Sequence, residues 1–364
     1  MAKQIFILFG TRPEAIKLAP VIKLLQAERI PHTVIHTGQH DSLANDILDY
    51  FDISPDLNLA VMEKSQSLNT LLTALYSTLA PHLEGRKGDL MLVQGDTLSA
   101  FAGAHLAHLN GLTVAHLEAG LRSHDRLHPF PEETNRRLLS HIADLHFAPT
   151  ASAKRNLLAE NIPDEQIQIT GNTVIDALQL ILEKEGHTGR ELRKQYAPDN
   201  ARVMMLTTHR RENIGEPQLR IFKAVRELAD RFDDLHVLFP IHPNPAIRPH
   251  LELLLTHNRI HLLDPIPYTS FIPLLAECDL VLTDSGGIQE EAPALGVPVF
   301  VAREKTERPE LIESGVGFLT GTDTETITHM ISELLIHAPH FSREELFGDG
   351  QAAPRVVRTL AQNL

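Results

Sequence analysis

The stretch LTDSGGIQEEAPALG, Leu282 to Gly296, sets an aspartate, a Ser-Gly-Gly turn and two adjacent glutamates behind an apolar run. Glycines at a helix N-terminus let backbone N–H groups approach an anion closely. Glu290 and Glu291 would repel that anion unless the ligand also carries hydroxyls. A diphosphate on the N–H groups of Ser285, Gly286 and Gly287, followed by the vicinal hydroxyls of a ribose or hexose, satisfies both features. Adjacent helical residues lie roughly 100° apart around the axis. The spacing therefore predicts one glutamate toward the ligand and the other toward solvent. A nucleotide diphosphate-sugar carries its phosphates and hydroxyls in this order.

Other strand ends carry possible chemistry. GTRPEAIK offers Gly10 for a tight turn, then Arg12, Pro13 and Lys17 at a helix N-terminus. Alone it reads as an ordinary turn with a surface arginine. QGDTLSA puts Asp96 where a helix N-cap is expected, a common structural use. HLEAGLRS ends an apolar run with Glu118, which is not a capping signal and points toward function. HPFPEETNRR stiffens a loop with Pro129 and Pro131 before Glu132 and Glu133 open a helix, where acidic residues are normal. LTTHRREN places His209, Arg210 and Arg211 after a strand, a poor core sequence and a good anion or acid–base site. His242 in PIHPNP is either another such end or part of a rigid turn. No G-x-G-x-x-G, H-E-x-x-H, clustered Cys/His or G-x-S-x-G pattern occurs. His105 and His108 read as a solvated helix face rather than metal ligands.

These residues need elements to position them. Short apolar runs alternate with segments of helical period. Strands are predicted at Gln4–Phe9, Thr33–Thr37, Leu90–Val93, Thr113–Leu117, Leu145–Ala148 and Gln168–Thr170. In the second half they fall at Val203–Thr207, His236–Phe239, Ile260–Leu263, Leu280–Thr283 and Val299–Val301. Strand–helix alternation implies parallel sheets covered on both faces, with ligands outside the carboxyl ends of the strands. The charged, Gly- and Pro-containing stretch Glu183–Asn200 is expected to link two such domains facing a cleft. The 364 residues suit two domains, with 43% hydrophobic content and a formal charge of −14. That charge argues against a nucleic-acid or membrane-surface protein. Cys278, the single cysteine, is expected to be a small buried hydrophobe. No signal segment or bilayer-spanning stretch is read, so the cytoplasm is the expected compartment.

The segments GTRPEAIKLAP, GDT, HLEAGLRS, PFPEETNRR, ITGNTVIDAL, HRREN, LTDSGGIQEEAPALG, TERPE and GDGQA follow one another along nearly the whole chain. In this order they resemble the non-hydrolysing UDP-N-acetylglucosamine 2-epimerases. The resemblance implies an α/β protein of two Rossmann-like doubly wound domains of the GT-B type, a central cleft and a homodimer. It implies an N-terminal domain of residues 1–172 with a returning segment 350–364, and a UDP-binding domain of residues 173–349. The implied catalytic residues are Asp96, Glu118, Glu132 and His209. Contacts to UDP-sugar fall on Arg12, Lys17, Phe271, Ser285, Gly286, Gly287, Glu291 and Arg308, with Glu291 on the ribose hydroxyls. The implied reaction expels UDP from C1 while a base removes the C2 proton, giving 2-acetamidoglucal. UDP then re-adds with protonation on the other face, without metal or redox cofactor.

Many bacterial relatives carry a second, activating UDP-N-acetylglucosamine site, whose pattern here falls on Gln39, His40, Gln66, Arg210 and His242. Ser42 and Ser65 stand where glutamine and arginine are usual, which argues against activation by substrate. Ile266 replaces a common glutamine near the uracil. Two other readings compete: a glycosyltransferase on the same scaffold, and a nucleotide-sugar sensor without turnover. The first would need an acceptor pocket, and the second has no use for the full set Asp96, Glu118, Glu132 and His209.

Overall fold

Alternation of strand and helix runs from one end of the chain to the other in a computed structural model describing residues 3–38, 41–63, 66–242, 247, 251–255, 257–337 and 340–364. The first part contains β1 (Ile5–Phe9), α1 (Arg12–Ala27), β2 (His32–His36), α2 (Asp41–Tyr50), β3 (Leu57–Asn58) and α3 (Leu68–Leu83). It continues with β4 (Leu90–Gln94), α4 (Leu98–Leu109), β5 (Thr113–Leu117), α5 (Glu132–Ile142), β6 (Leu145–Ala148), α6 (Ala151–Ala159) and β7 (Ile167–Ile169). After the helix α7 (Thr173–Tyr196) come β8 (Arg202–Thr207), α8 (Glu216–Arg231), β9 (Leu235–Pro240), α9 (Glu252–Leu255), β10 (Ile260–Leu263) and α10 (Tyr268–Ala276). Then follow β11 (Leu280–Thr283), α11 (Ile288–Leu295), β12 (Val299–Val301), α12 (Pro309–Glu313), β13 (Gly317–Leu319), α13 (Thr324–His337) and α14 (Ala352–Gln362).

The chain divides into two compact units, residues 1–177 with 347–364, and residues 178–346. The first holds a 7-stranded sheet in the order β3-β2-β1-β4-β5-β6-β7, and the second a 6-stranded sheet ordered β10-β9-β8-β11-β12-β13. Neighbouring strands pair in parallel in both. These are the two Rossmann-like, doubly wound α/β sheets of the GT-B type that the sequence implied. Strand order reverses between β1 and β4 in one sheet and between β8 and β11 in the other. A crevice at the carboxyl end of the strands opens at such a reversal. The turns after β1, β4, β8 and β11 are the ones carrying Arg12, Asp96, His209 and the Ser-Gly-Gly segment.

Each element forms for local reasons. Thr11 caps α1, Pro13 sits in its first turn, and Glu14 closes a capping box. Thr97 caps α4 by accepting a hydrogen bond from the N–H of Ala100 at 3.0 Å. On α8 the residues Ile221, Phe222, Val225 and Leu228 are fully buried, a helical stripe packed on β8 and β9 with Phe239 edge-on to Phe222. The strands are mainly apolar because both sheet faces are covered, with histidines such as His116 and His146 buried among them. Helix α14 packs on α1. The carboxylate of Asp176 on α7 accepts from the N–H groups of Ala352 and Ala353, at 3.2 and 2.8 Å, where α14 begins.

Residues 183–196 of the expected linker are instead helix, and only 197–200 lie beyond it. Helix α7 runs unbroken through 24 residues, because Glu, Lys, Arg and Leu are good helix formers and the charges form a solvated face. Its glycine at 189 serves close packing: a Cβ there would lie 2.1 Å from the Pro273 carbonyl oxygen. His105 and His108 also depart from a uniformly solvated face. His108 is exposed, whereas His105 accepts or donates a 2.8 Å hydrogen bond with the Tyr76 hydroxyl and stacks on Phe101. Cys278 is buried, and burial pushes its thiol pKa up. Among the described residues no helix is long and apolar enough to cross a membrane.

Candidate functional site

In the first unit the turns after β1, β4 and β5 place a set of paired carboxylates. Glu118 follows β5 directly, in a left-handed backbone with φ 65°. Such a conformation is strained for a residue with a Cβ and persists only where surroundings fix it. Here the fixing groups are explicit. The Lys17 ammonium on α1 pairs with Glu118 Oε2. The same oxygen accepts from Gln94 Nε2 at 2.9 Å and Asn172 Nδ2 at 3.2 Å. Donors from α1, from β4 and from the turn before α7 thus converge on one carboxylate whose side chain is 9% exposed.

Asp96 lies one residue before the N-cap, which is Thr97, so its carboxylate is not used for capping. Instead Arg136 Nη2 approaches Asp96 Oδ2 at 2.7 Å. Arg136 is itself seated on Glu133, whose side chain is fully buried and which also accepts from the Ser123 N–H at 2.9 Å. Glu132 opens α5 beside it. Arg12 is the first residue of α1 and half-buried. Beneath this turn, Glu14 accepts from the N–H groups of Gly10 and Thr11, and from the hydroxyls of Thr11 and Thr97. Burial still pushes its carboxyl pKa up to about 7, since desolvation penalises the charge more than these donors relieve it. His116 Nε2 donates to the Gly95 carbonyl at 2.7 Å, and burial lowers its pKa to about 4. Its strand neighbour His146 is lowered to about 4 as well, by burial first and by the His116 charge second.

In the second unit Asp284 organises the turns after β8 and β11. It is fully buried. It accepts from the Thr208 hydroxyl at 2.9 Å, from the backbone N–H of His209 at 3.0 Å and of Arg210 at 3.0 Å, and from Asn213 Nδ2 at 3.0 Å. His209 Nδ1 lies 3.4 Å from Asp284 Oδ1, and the His209 ring stacks on His242 at 5.0 Å. A buried carboxylate with this many donors holds the whole His-Arg turn in one conformation.

Gly287 caps α11, whose first turn contains both glutamates. Neither faces solvent. Glu290 and Glu291 are 1% and 5% exposed, which corrects the expected division between ligand and water. Glu290 accepts from Arg308 Nε at 2.6 Å, and Glu291 accepts from the Tyr268 hydroxyl at 2.8 Å. Arg308 Nη1 also meets buried Glu307 at 2.8 Å, and Glu307 in turn pairs with Arg303 at 3.0 Å. A Cβ on Gly286 would fall 3.1 Å from Arg308 Nη1 and 3.2 Å from Arg210 Nη2. Two guanidinium groups and a helix N-terminus therefore converge on the Ser-Gly-Gly turn, an arrangement suited to a diphosphate. The Ser285 N–H donates to Thr283 Oγ1 at 2.9 Å, so the two glycines are the better placed donors. Phe271 on α10 is 8% exposed.

The sequence matches the family described as UDP-N-acetylglucosamine 2-epimerase over residues 23–361. The chain belongs to that family. It is 42% identical over 366 residues to the UDP-N-acetylglucosamine 2-epimerase of Bacillus subtilis, covering 98% of this chain and 94% of the relative. Among solved structures it is similar to the UDP-GlcNAc 2-epimerase of Neisseria meningitidis bound to UDP-GlcNAc. That match has a TM-score of 0.93 and 40% identity, and covers 99% of this chain and 100% of the other. The Methanocaldococcus jannaschii UDP-GlcNAc 2-epimerase in complex with UDP-GlcNAc and UDP matches with a TM-score of 0.86 at 34% identity, covering 99% of each chain.

Members of the family are isomerases, and in this one the residues picked out from sequence fall into two groups. Arg12, Lys17, Asp96, Glu118 and Glu132 lie in the first unit. His209, Arg210, His242, Phe271, Ser285, Gly286, Gly287, Glu291 and Arg308 lie in the second. Gln39 and His40 lie outside the described residues. Gln66 is engaged within its own loop, donating to the Val61 carbonyl at 3.1 Å and accepting from the Glu63 N–H at 3.3 Å. Sequence reasoning gave no role to Asp284, Gln94, Asn172, Arg136, Tyr268 or Glu307. The available signals were Gln94 at the end of a strand and the asparagine inside ITGNTVIDAL.

Proposed function

We propose that this chain interconverts UDP-N-acetylglucosamine and UDP-N-acetylmannosamine by eliminating and re-adding UDP across C1 and C2. The C2 hydrogen is not adjacent to a carbonyl, so its direct removal is slow. Coupling its removal to departure of UDP lets the C–H electrons form the C1=C2 bond while the C1–O electrons leave with the diphosphate. The intermediate is 2-acetamidoglucal, and return of UDP with a proton on the opposite face inverts C2. The reaction is redox-neutral and calls on no cofactor.

The second unit is the nucleotide side of this reading. Gly286, Gly287, Ser285, Arg308 and His209 hold the diphosphate, and Glu291 takes the ribose hydroxyls, with Phe271 lining the nucleotide. The first unit supplies Asp96, Glu118 and Glu132 for proton transfer, and Arg12 and Lys17 for the charge that develops on the departing UDP. The observation that best supports this assignment is the convergence of Lys17, Gln94 and Asn172 on Glu118 in its left-handed backbone. Three donors on one oxygen hold this carboxylate in a single orientation, as proton transfer requires. The reading carries with it a homodimer acting in the cytoplasm, both taken from the resemblance of the motifs. Activation at a second nucleotide-sugar site is not part of it, given Ser42 and Ser65.

Glu118→Gln tests the assignment. It keeps the Gln94 and Asn172 neighbours but cannot exchange a proton. Turnover should fall by at least about a hundredfold, with UDP still bound. Turnover near that of the unaltered protein would remove Glu118 from the mechanism.

A further inference from the structure

Each residue of the Gly95-Asp96-Thr97 turn is gripped by a different buried side chain. His116 holds the Gly95 carbonyl at 2.7 Å, and Asn135 Nδ2 holds the Asp96 carbonyl at 2.8 Å. Arg136 holds the Asp96 carboxylate at 2.7 Å, and the Thr97 hydroxyl donates to Glu14 at 2.7 Å. The holders are 1%, 4%, 7% and 1% exposed, respectively. An ordinary strand-to-helix turn needs only its N-cap. This one has its backbone and the Asp96 side chain fixed independently.

We infer that Arg136, seated on Glu133, is a positioning residue that aims the Asp96 carboxylate at the sugar. The inference rests on the reading of Asp96 as a proton-transfer group. Arg136 alone among the four holders bonds the carboxylate itself. Its fork is divided, with Nη1 on Glu133 at 3.2 Å and Nη2 on Asp96. Glu133 is in turn fixed by the Ser123 N–H and by Arg137 Nε at 3.3 Å. A planar guanidinium can span two carboxylates in fixed directions, and a lysine ammonium cannot do so with the same geometry. Misplacement of a reacting group by about 1 Å costs on the order of a hundredfold in rate, which sets the scale of the expected effect.

A buried ion pair can also exist for fold stability alone. A double-mutant cycle on the full-length protein separates the two roles. Arg136→Gln should lower kcat by about a hundredfold, leaving the UDP Kd from calorimetry within about twofold, because Asp96 and Glu133 both belong to the first unit. Placed on Asp96→Asn, the same change should cost less than about threefold, since partners in one interaction do not add. Arg136→Lys should recover part of the loss. It also provides the same cycle should the glutamine variant prove insoluble. Equal losses in both backgrounds, or Arg136→Gln with kcat within about threefold of the unaltered protein, would overturn the inference while leaving Asp96 in place. Asp96→Asn with undiminished turnover would instead overturn the reading of Asp96, and the inference with it.

Discussion

Two glycines in α7 should respond to alanine in opposite directions. Gly186 has nothing within 4 Å of an added Cβ, whereas at Gly189 that atom would lie 2.1 Å from the Pro273 carbonyl oxygen and 2.4 Å from its carbon. Alanine gains about 1 kcal/mol over glycine in a helix interior, so Gly186→Ala should stabilise by roughly that amount. At Gly189 the same gain is opposed by overpacking, typically about 1–3 kcal/mol. The upper end applies because both contacting groups are backbone and neither can rotate away. The net expectation is destabilisation by about 1–2 kcal/mol. For a unit of this size each kcal/mol shifts the midpoint by about 2–4 °C. Scanning calorimetry at matched pH and concentration should show Gly189→Ala melting roughly 3–6 °C lower and Gly186→Ala about 2–4 °C higher. A Gly189→Ala protein as stable as the parent would refute both the close packing of α7 on α10 and the continuity of the helix through this stretch.

Two further outcomes follow from buried polar groups. Burial lowers the His116 pKa from 6.5 to about 4, so on acidification the unfolded chain takes up a proton that the fold refuses. This contribution is fully present above pH 6.5 and is lost as pH falls toward 4, a change of about 3 kcal/mol. His116→Asn should reduce the acid dependence of the melting temperature by close to one proton in that window, with His146 still contributing in the same direction. An unaltered slope would contradict the buried neutral imidazole. Tyr268→Phe removes the 2.8 Å donor to Glu291 and should weaken UDP binding by about 1–2 kcal/mol. An unchanged Kd would mean that Glu291 does not serve the nucleotide.

The strand cores were legible because both faces of each sheet are covered, so strand segments such as 90–93 and 280–282 are uninterrupted apolar runs bounded by polar turns. Leu57–Asn58 escaped notice because two residues have no periodicity to detect, and Gly317–Leu319 because it opens on a glycine and lacks the β-branched residues that marked the equally short Val299–Val301. Glu183–Asn200 misled because glycine and charge suggest a linker, while packing against Pro273 needs the glycine and water accepts the charges. The anion-binding turn was legible from its glycines and the helix that follows. The burial of Glu290 was not, since its partner Arg308 comes 18 residues later and only the fold brings the two together. Asp284 looked like the end of a strand. Its role emerges only where β8 and β11 run side by side and its oxygens meet the N–H groups of His209 and Arg210.

The proposed reaction couples proton exchange at C2 to departure and return of UDP. Proton NMR of UDP-N-acetylglucosamine incubated with the purified protein in D2O, without added metal or nicotinamide, tests it most directly. The expected result is conversion to UDP-N-acetylmannosamine with deuterium at C2. An unchanged spectrum from folded protein that still binds UDP would contradict it, as would product that retains its original C2 hydrogen.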